Sequence, residues 1–167
     1  MPTLASDMCR LIVRELEGCV REVEAFPDDT RLWAVVPGVT NSAGNLALHL
    51  CGNLRHFIGA GLCGTGYVRN REAEFAAREG TRAEVAAELR ATIATMQATL
   101  GAMDDAVLET PMPGTPRGLV TSTRLFLLHL VAHTAFHLGQ MGYLRRVLAG
   151  DGALSADPLP LKVLEHS

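Results

Sequence analysis

Histidine is the residue type in this sequence whose spacing could support a specific chemistry. Five of the six histidines fall in two segments, His49 and His56 in the first and His129, His133 and His137 in the second. This is not an even scatter along the chain. Because neutral imidazole is the side chain that most often binds metal ions in proteins, the clustering favours a metal site.

His133 and His137 are four residues apart, which allows two side chains of one helix to bind the same atom. Residues at this spacing differ by about 40° in direction and about 6 Å in height. A zinc ion would require both nitrogens at about 2.0–2.1 Å. The helical zincins use the same His-x-x-x-His spacing, but the glutamate that follows their first histidine is missing here, so the chain is not predicted to be a zincin.

A third metal ligand is predicted at His49, because the histidines of both segments lie on helix faces that should turn inward. These two faces consist of Phe126, Leu130, His133, His137, Met141 and Leu144, and of Leu46, His49, Leu50, Asn53, Leu54 and Phe57. Imidazoles on two inward faces can meet inside a helical bundle, where metal sites of such folds are built. The residues alone leave an alternative open, since a buried histidine is more often a hydrogen-bonded core residue than a ligand.

The remaining histidines are weaker candidates. His129 lies about 12 Å along its helix from His137, so it cannot easily bind the same ion, and we expect it beside the site or at the surface. His56 should be solvated or structural, and His166 belongs to a terminal tail. Gln140, one turn beyond His137, could hydrogen-bond a ligand or bound water, or could be an ordinary polar residue.

The four cysteines show no Cys-x-x-Cys spacing, so we expect small buried hydrophobic residues and assign them no role. They are Cys9, Cys19, Cys51 and Cys63.

Four long helices should position these side chains, because apolar residues recur at helical spacing in four segments with recognisable caps. The expected bounds are Thr3 or Ser6 to about Phe26, Asn41 or Ser42 to about Cys63, Thr81 to about Leu100, and Thr121, Ser122 or Thr123 to about Ala149 or Gly150.

The connection formed by residues 64–80 is long and polar, and its charged residues are expected to be solvated, although Arg71, Glu72 and Glu74 could instead reach the mouth of a cavity at the histidines. A link of this length can carry the chain back over the bundle, so the second and third helices can run parallel. The predicted fold is all-α: a four-helix bundle of residues 1–150 in up-down-down-up order with a long crossover between helices 2 and 3. Residues 151–167 form a tail.

Composition excludes several classes of partner. Lys and Arg total 15 against 18 Asp and Glu, so the formal charge of −3 gives no basic surplus for nucleic acid or anionic lipid. The early charges Asp7 and Arg10 leave no room for the apolar core of a signal peptide. No segment approaches the roughly 18 uninterrupted apolar residues that span a bilayer. We therefore expect a soluble cytoplasmic protein.

Two segments together resemble the DinB-like superfamily of bacterial four-helix proteins, which includes the YfiT-like and maleylpyruvate-isomerase-like proteins. The resemblance extends to the link segment Arg69-Asn70-Arg71-Glu72-Ala73-Glu74-Phe75. The two main segments are Asn41-Ser42 with Gly44-Asn45-Leu46-Ala47-Leu48-His49-Leu50 and Gly52-Asn53-Leu54, and His129-Leu130-Val131-Ala132-His133-Thr134-Ala135-Phe136-His137-Leu138-Gly139-Gln140.

This resemblance implies a metal triad at His49, His133 and His137, the up-down-down-up order and a tendency to form homodimers. The family's ions include nickel, zinc and other divalent metals, and three imidazoles suit several of them. Characterised relatives include transferases and isomerases that use a low-molecular-weight thiol such as mycothiol or bacillithiol. A related reaction, in which a small-molecule electrophile is attacked by the thiol, is therefore the first functional hypothesis.

Two other functions remain open at this stage. A metal-dependent hydrolase would use water in place of the thiol. A stress protein that binds a metal or small ligand without turnover would need no further residues. The sequence fixes no separate acid or base by its spacing to the histidines, so it names no catalytic residue beyond the candidate ligands.

Overall fold

The chain folds into helices, as a computed structural model of residues 3–152 and 159–165 describes it. The four long helices are confirmed, and no β-strand occurs in these residues. Two short helices, α2 and α4, were not predicted. The helices are α1 (Leu4–Glu24), α2 (Asp29–Trp33), α3 (Ala43–Leu54), α4 (Arg71–Ala76), α5 (Arg82–Thr99) and α6 (Thr123–Ala149), and a π-helix (Arg55–Leu62) continues α3.

Side chains cap the long helices at the positions that the sequence offered. Thr3, Ser42 and Thr81 each begin a capping box, in which the hydroxyl accepts from an amide three residues later and that residue's side chain accepts in return. Ser122 caps α6 by accepting from Leu125 N. Gly150 ends α6 with φ 74°, a left-handed conformation that glycine adopts without strain.

α3 lies deepest among the helices, because α4, α5 and α6 all pack against it. The inward face predicted for its segment is confirmed: all six of those side chains are buried. α1 packs along α5 and α6 on the other side of the core. A buried ion pair joins α1 to α6, since Arg145 Nε donates to Glu22 Oε2 at 2.6 Å.

The crossover of residues 64–80 is docked on the bundle rather than simply solvated. Asn45 on α3 donates both protons of its amide, to Glu74 O and to Ala77 O, each at 2.9 Å. At the end of the crossover, Trp33 Nε1 donates to Gly80 O at 2.7 Å. Trp33 is the last residue of the short helix α2. These contacts hold α4 against the face of α3 that carries His49.

One expectation is wrong elsewhere in the chain, and another falls largely outside the described residues. Cys9, Cys19 and Cys51 are buried, but Cys63 is exposed, because it lies at the end of the π-helix where the chain leaves the core. His166 and residues 153–158 of the expected tail lie outside the described residues. Within the tail, residues 161–164 form a single 3-10 turn near α1, and Arg10 Nη2 donates to Glu165 O at 2.7 Å.

No helix among the described residues is both long enough and apolar enough to cross a membrane. The up-down-down-up order of the long helices stays a prediction.

Candidate metal centre

The structure brings the imidazoles of His49, His133 and His137 together, although they come from two helices. His133 Nε2 lies 3.3 Å from His49 Nε2 and 3.1 Å from His137 Nε2. All three residues offer a ligand atom within 4.8 Å of one another, so they could hold one metal ion. His49 is buried, and the other two rings are half-buried on the face of α6 that meets α3.

The spacing of these nitrogens fits a shared ion. Two nitrogens at about 2.0–2.1 Å from a tetrahedral zinc ion are about 3.3 Å apart, close to the two distances from His133 Nε2. The donor set and its distances therefore fit a divalent metal of the kind that imidazole prefers.

The outer nitrogen of His49 is held by a carboxylate from the crossover. His49 Nδ1 lies 3.1 Å from Glu74 Oε2. Arg69 Nη2 lies equally close to this nitrogen, at 3.1 Å. Since an ionised carboxylate only accepts, the bond to Glu74 forms when the ring carries its proton on Nδ1, and the Nε2 lone pair then points at the centre. Arg69 fixes Glu74 in turn, with its Nε 2.7 Å from Oε1 and its Nη2 2.8 Å from Oε2.

Gly52 makes the approach of Glu74 possible. It lies on α3 close to His49, and a Cβ atom built on it would come within 2.0 Å of Glu74 Oε1. No side chain tolerates that distance. A residue larger than glycine at this position would therefore force the carboxylate away from His49.

The outer nitrogens of the two α6 histidines differ in their partners. His137 Nδ1 lies 2.6 Å from Gln140 Oε1, so the amide oxygen holds this ring in the same tautomer as that of His49. His133 Nδ1 is buried and has no hydrogen-bond partner. Gln140 thus contacts a candidate ligand, one of the two roles considered for it from the sequence.

Burial keeps all three imidazoles neutral, which is the form that binds metal. Burial, together with the smaller effect of the neighbouring His137 and His49, lowers the pKa of His133 to about 3. Burial also lowers the pKa of His49, against the opposing effect of its hydrogen bond to Glu74. The pKa of His137 is lowered by burial as well, and its bond to Gln140 opposes this.

The remaining histidines do not join the triad. His129 is exposed, and its ring stacks near that of His133 at 5.7 Å between centroids. His56 lies in the π-helix, half-buried against the ring of Phe57.

Glu74 is the functional residue that sequence reasoning missed. We expected the charges of the crossover to be solvated, and this is wrong for Glu74, which is only 7% exposed. Glu72, two residues earlier, is exposed as expected. The available sequence signal was Asn70, which caps α4 and thereby directs Glu74 and Phe75 towards α3.

A cavity of about 460 Å³ opens beside the triad. His137 and Gln140 line it together with Asn41, Thr40 and Tyr143. Its size suits a small molecule. A ligand bound there would contact the ring of His137 directly.

The fold and the site together define an all-helical protein with a candidate three-histidine metal centre. The chain belongs to the mycothiol S-transferase family, since the family model described as Mycothiol-S-transferase matches residues 9–150. This is a DinB/YfiT-like family, so the resemblance identified from the sequence is confirmed. A comparison with curated proteins finds no match.

Proposed function

We propose that this protein is a metal-dependent S-transferase that joins mycothiol to a small electrophile. The observation that carries the proposal is the convergence of three imidazole nitrogens within 4.8 Å, in a chain that belongs to a family described by this activity. Three protein ligands leave a coordination position for a substrate, which distinguishes catalytic from purely structural sites.

A divalent ion bound by His49, His133 and His137 would lower the pKa of a thiol that reaches it, so that the reactive thiolate forms near neutral pH. The protein's own residues prepare for this. Glu74 holds the proton on His49 Nδ1, and Gln140 holds the one on His137 Nδ1. Both rings therefore keep the orientation that binding requires before any substrate arrives.

The proposed reaction forms one bond and breaks two. The thiol sulfur bonds to an electrophilic carbon. When the electrophile is monochlorobimane, the carbon–chlorine bond breaks and its electron pair leaves with chloride. The thiol proton passes to solvent. The reaction consumes a reduced thiol, which fits the cytoplasmic location expected from the sequence. The ion itself is proposed to be nickel or zinc, because three imidazoles suit both.

Conjugation of mycothiol to monochlorobimane, followed by fluorescence, tests the proposal on protein loaded with zinc or nickel. We expect conjugation well above the uncatalysed rate. If the loaded protein gives no conjugate with mycothiol or bacillithiol, the transferase proposal is wrong, and a protein that binds metal without turnover becomes the better description. Hydrolysis of an ester substrate without any thiol would favour the hydrolase.

Removing the carboxylate that orients His49 should weaken metal binding. We expect Glu74→Gln to lower zinc affinity by about tenfold to 100-fold, the usual cost of losing a partner of a ligating histidine. Competition with a chromophoric chelator measures this without any assay of activity. The matched control is Glu72→Gln, which changes an exposed carboxylate on the same short helix and should leave the affinity unchanged.

Gly52→Ala provides an independent route to the same effect, because its methyl group would displace Glu74 rather than delete it. We expect a similar loss of zinc affinity. Affinity equal to that of the unmodified protein in both Glu74→Gln and Gly52→Ala would show that the carboxylate has no part in holding the ion.

We also propose that the protein forms a homodimer through the exposed face of α6. This face carries Phe136 and Tyr143, which are 61% and 71% exposed, together with Leu128 and Gly139. Phe136, Gly139 and Tyr143 are three and four residues apart and Leu128 lies eight residues before Phe136, a spacing that keeps all four on one side of the helix and suits packing against a second helix. The up-down-down-up order is proposed alongside it, because the docked crossover is long enough to traverse the bundle.

Phe136→Glu should therefore give a monomer, because it would place a charge in the centre of the apolar face. Light scattering coupled to size exclusion measures the mass directly. Arg124→Glu, at an exposed position near the start of the same helix, is the control and should not change it. A dimer that survives Phe136→Glu would place the contact elsewhere.

A further inference from the structure

A second cavity, of about 430 Å³, lies beside the candidate metal centre towards the N-terminal end of α6. Asn53 and His129 connect it to the triad. Asn53 is one helical turn beyond His49, and the ring of His129 lies 5.7 Å from that of His133. The first cavity reaches His137 from the other direction along α6. The triad therefore lies between two spaces, each large enough for a small molecule.

The two cavities differ in chemistry. The first is mixed: it presents hydroxyl and amide groups from Thr40, Asn41, Gln140 and Tyr143 beside apolar side chains such as Val36, and it can therefore hydrogen-bond a hydroxyl-rich molecule. The second is lined mainly by hydrocarbon. Its lining includes Leu119, Leu125, Leu130 and two aromatic rings, Phe57 and Phe126, which meet edge to face at 4.9 Å.

Three polar residues line this mainly apolar cavity, Asn53, Thr121 and His129, and Asn53 is the buried one. It is only 9% exposed, and its Oδ1 is shielded from solvent and has no hydrogen-bond partner. Buried polar groups are normally paired, so a residue that lines a cavity with one unpaired amide atom can pair with a ligand there once that atom faces the cavity. The amide can turn about its broad terminal torsion to present either oxygen or nitrogen. A ligand with one hydrogen-bonding group on an apolar body fits these features.

We infer that the cavity at Asn53 binds the electrophile of the transfer reaction, and that this electrophile is a largely apolar molecule with a single polar group. The inference rests on the proposed function. The thiol occupies the cavity at His137. Its sulfur reaches the electrophile at the triad, which lies between the two cavities, and the sulfur–carbon bond forms there. The leaving group takes the electron pair of the broken bond, and the proton of the thiol goes to solvent.

Direct binding of 1-naphthol, followed by calorimetry, tests the cavity without requiring turnover. Leu119 and Val39 provide matched variants, since each lines one cavity and is partly exposed, at 53% and 40%. Leu119→Trp should fill the apolar cavity and weaken naphthol binding by about tenfold or more. Val39→Trp should leave naphthol binding unchanged. Equal affinity in wild type and Leu119→Trp, or loss only in Val39→Trp, would overturn the inference.

The role of Asn53 is tested by comparing two probes. Asn53→Leu should weaken the binding of 1-naphthol by about threefold to tenfold, because the naphthol hydroxyl loses its hydrogen-bond partner. Naphthalene, which has no hydrogen-bonding group, should bind this variant at least as well as wild type. If the substitution weakens the binding of both probes equally, the amide does not recognise a polar group.

Steady-state kinetics then connect the cavities to the reaction. Leu119→Trp should raise KM for monochlorobimane and leave KM for mycothiol unchanged, and Val39→Trp should do the reverse. Naphthol binding that depends on Leu119, in a protein that forms no conjugate, would overturn the transferase proposal but retain the site. Conjugation whose KM for monochlorobimane is indifferent to Leu119→Trp would overturn only the assignment of the cavity.

Discussion

His133→Ala is expected to abolish tight metal binding and, with it, the conjugation of mycothiol to monochlorobimane. His133 is the central ring of the three, since its Nε2 lies within 3.3 Å of both of the other ligand nitrogens. Its removal leaves two ligands on different helices, with a gap between them. We expect zinc affinity to fall at least ~100-fold, beyond the usual cost of losing an outer partner.

Metal content after dialysis against a chelator measures this effect, with His49→Ala and His137→Ala examined beside it. His129→Ala is the matched control, because it removes an exposed imidazole one turn away on the same helix. Its metal content should equal that of wild type. If His133→Ala retains as much metal as His129→Ala, the three rings do not form the site.

Arg145→Met should cause a large loss of folding stability. The side chains of Arg145 and Glu22 are 2% and 4% exposed, and they are paired at 2.6 Å between α6 and α1. Methionine would leave the charge of Glu22 buried against the apolar core. Breaking a buried pair by removing one partner costs about 3–5 kcal/mol.

Urea unfolding, followed by circular dichroism at a fixed metal concentration, gives the free energy of unfolding. Arg146→Met is the neighbouring control, and its effect should stay within about 1 kcal/mol because that guanidinium lies over the ring of Tyr143 nearer the surface. The double variant Glu22→Leu with Arg145→Met should recover much of the loss, since it removes both charges together. If Arg145→Met lowered the free energy of unfolding only as much as Arg146→Met does, the buried pair would not be the source of stability proposed for it.

The helices and the converging faces were predictable from the sequence because each depends on local order. The Ser42 and Thr81 caps act within four residues, and the stripe containing His133 and His137 follows from helical period alone. The helix face that carries His49 is also apolar, so the two faces are expected to meet in one core. The histidine positions of the candidate site were therefore accessible without a structure.

The surroundings of His49 were not predictable in this way. α4 has six residues, fewer than two turns, so no periodicity marks its inner face. The burial of Glu74 depends on space left by Gly52, which lies on a different helix, and on a cation from Arg69 in the crossover. The π-helix that continues α3 was not predicted either, because no sequence pattern marks it.

The docked crossover has a consequence for how long an ion would stay bound. Glu74 and Arg69 belong to the connecting segment, yet they restrain the ring of His49 on α3. Local opening of that segment would release the ring of His49. Because the two equilibria are linked, holding the ring in place also favours the closed form of the segment. The residence time of a bound metal would then depend on how fast the crossover of residues 64–80 opens. The stability of the packed long helices alone does not determine that rate.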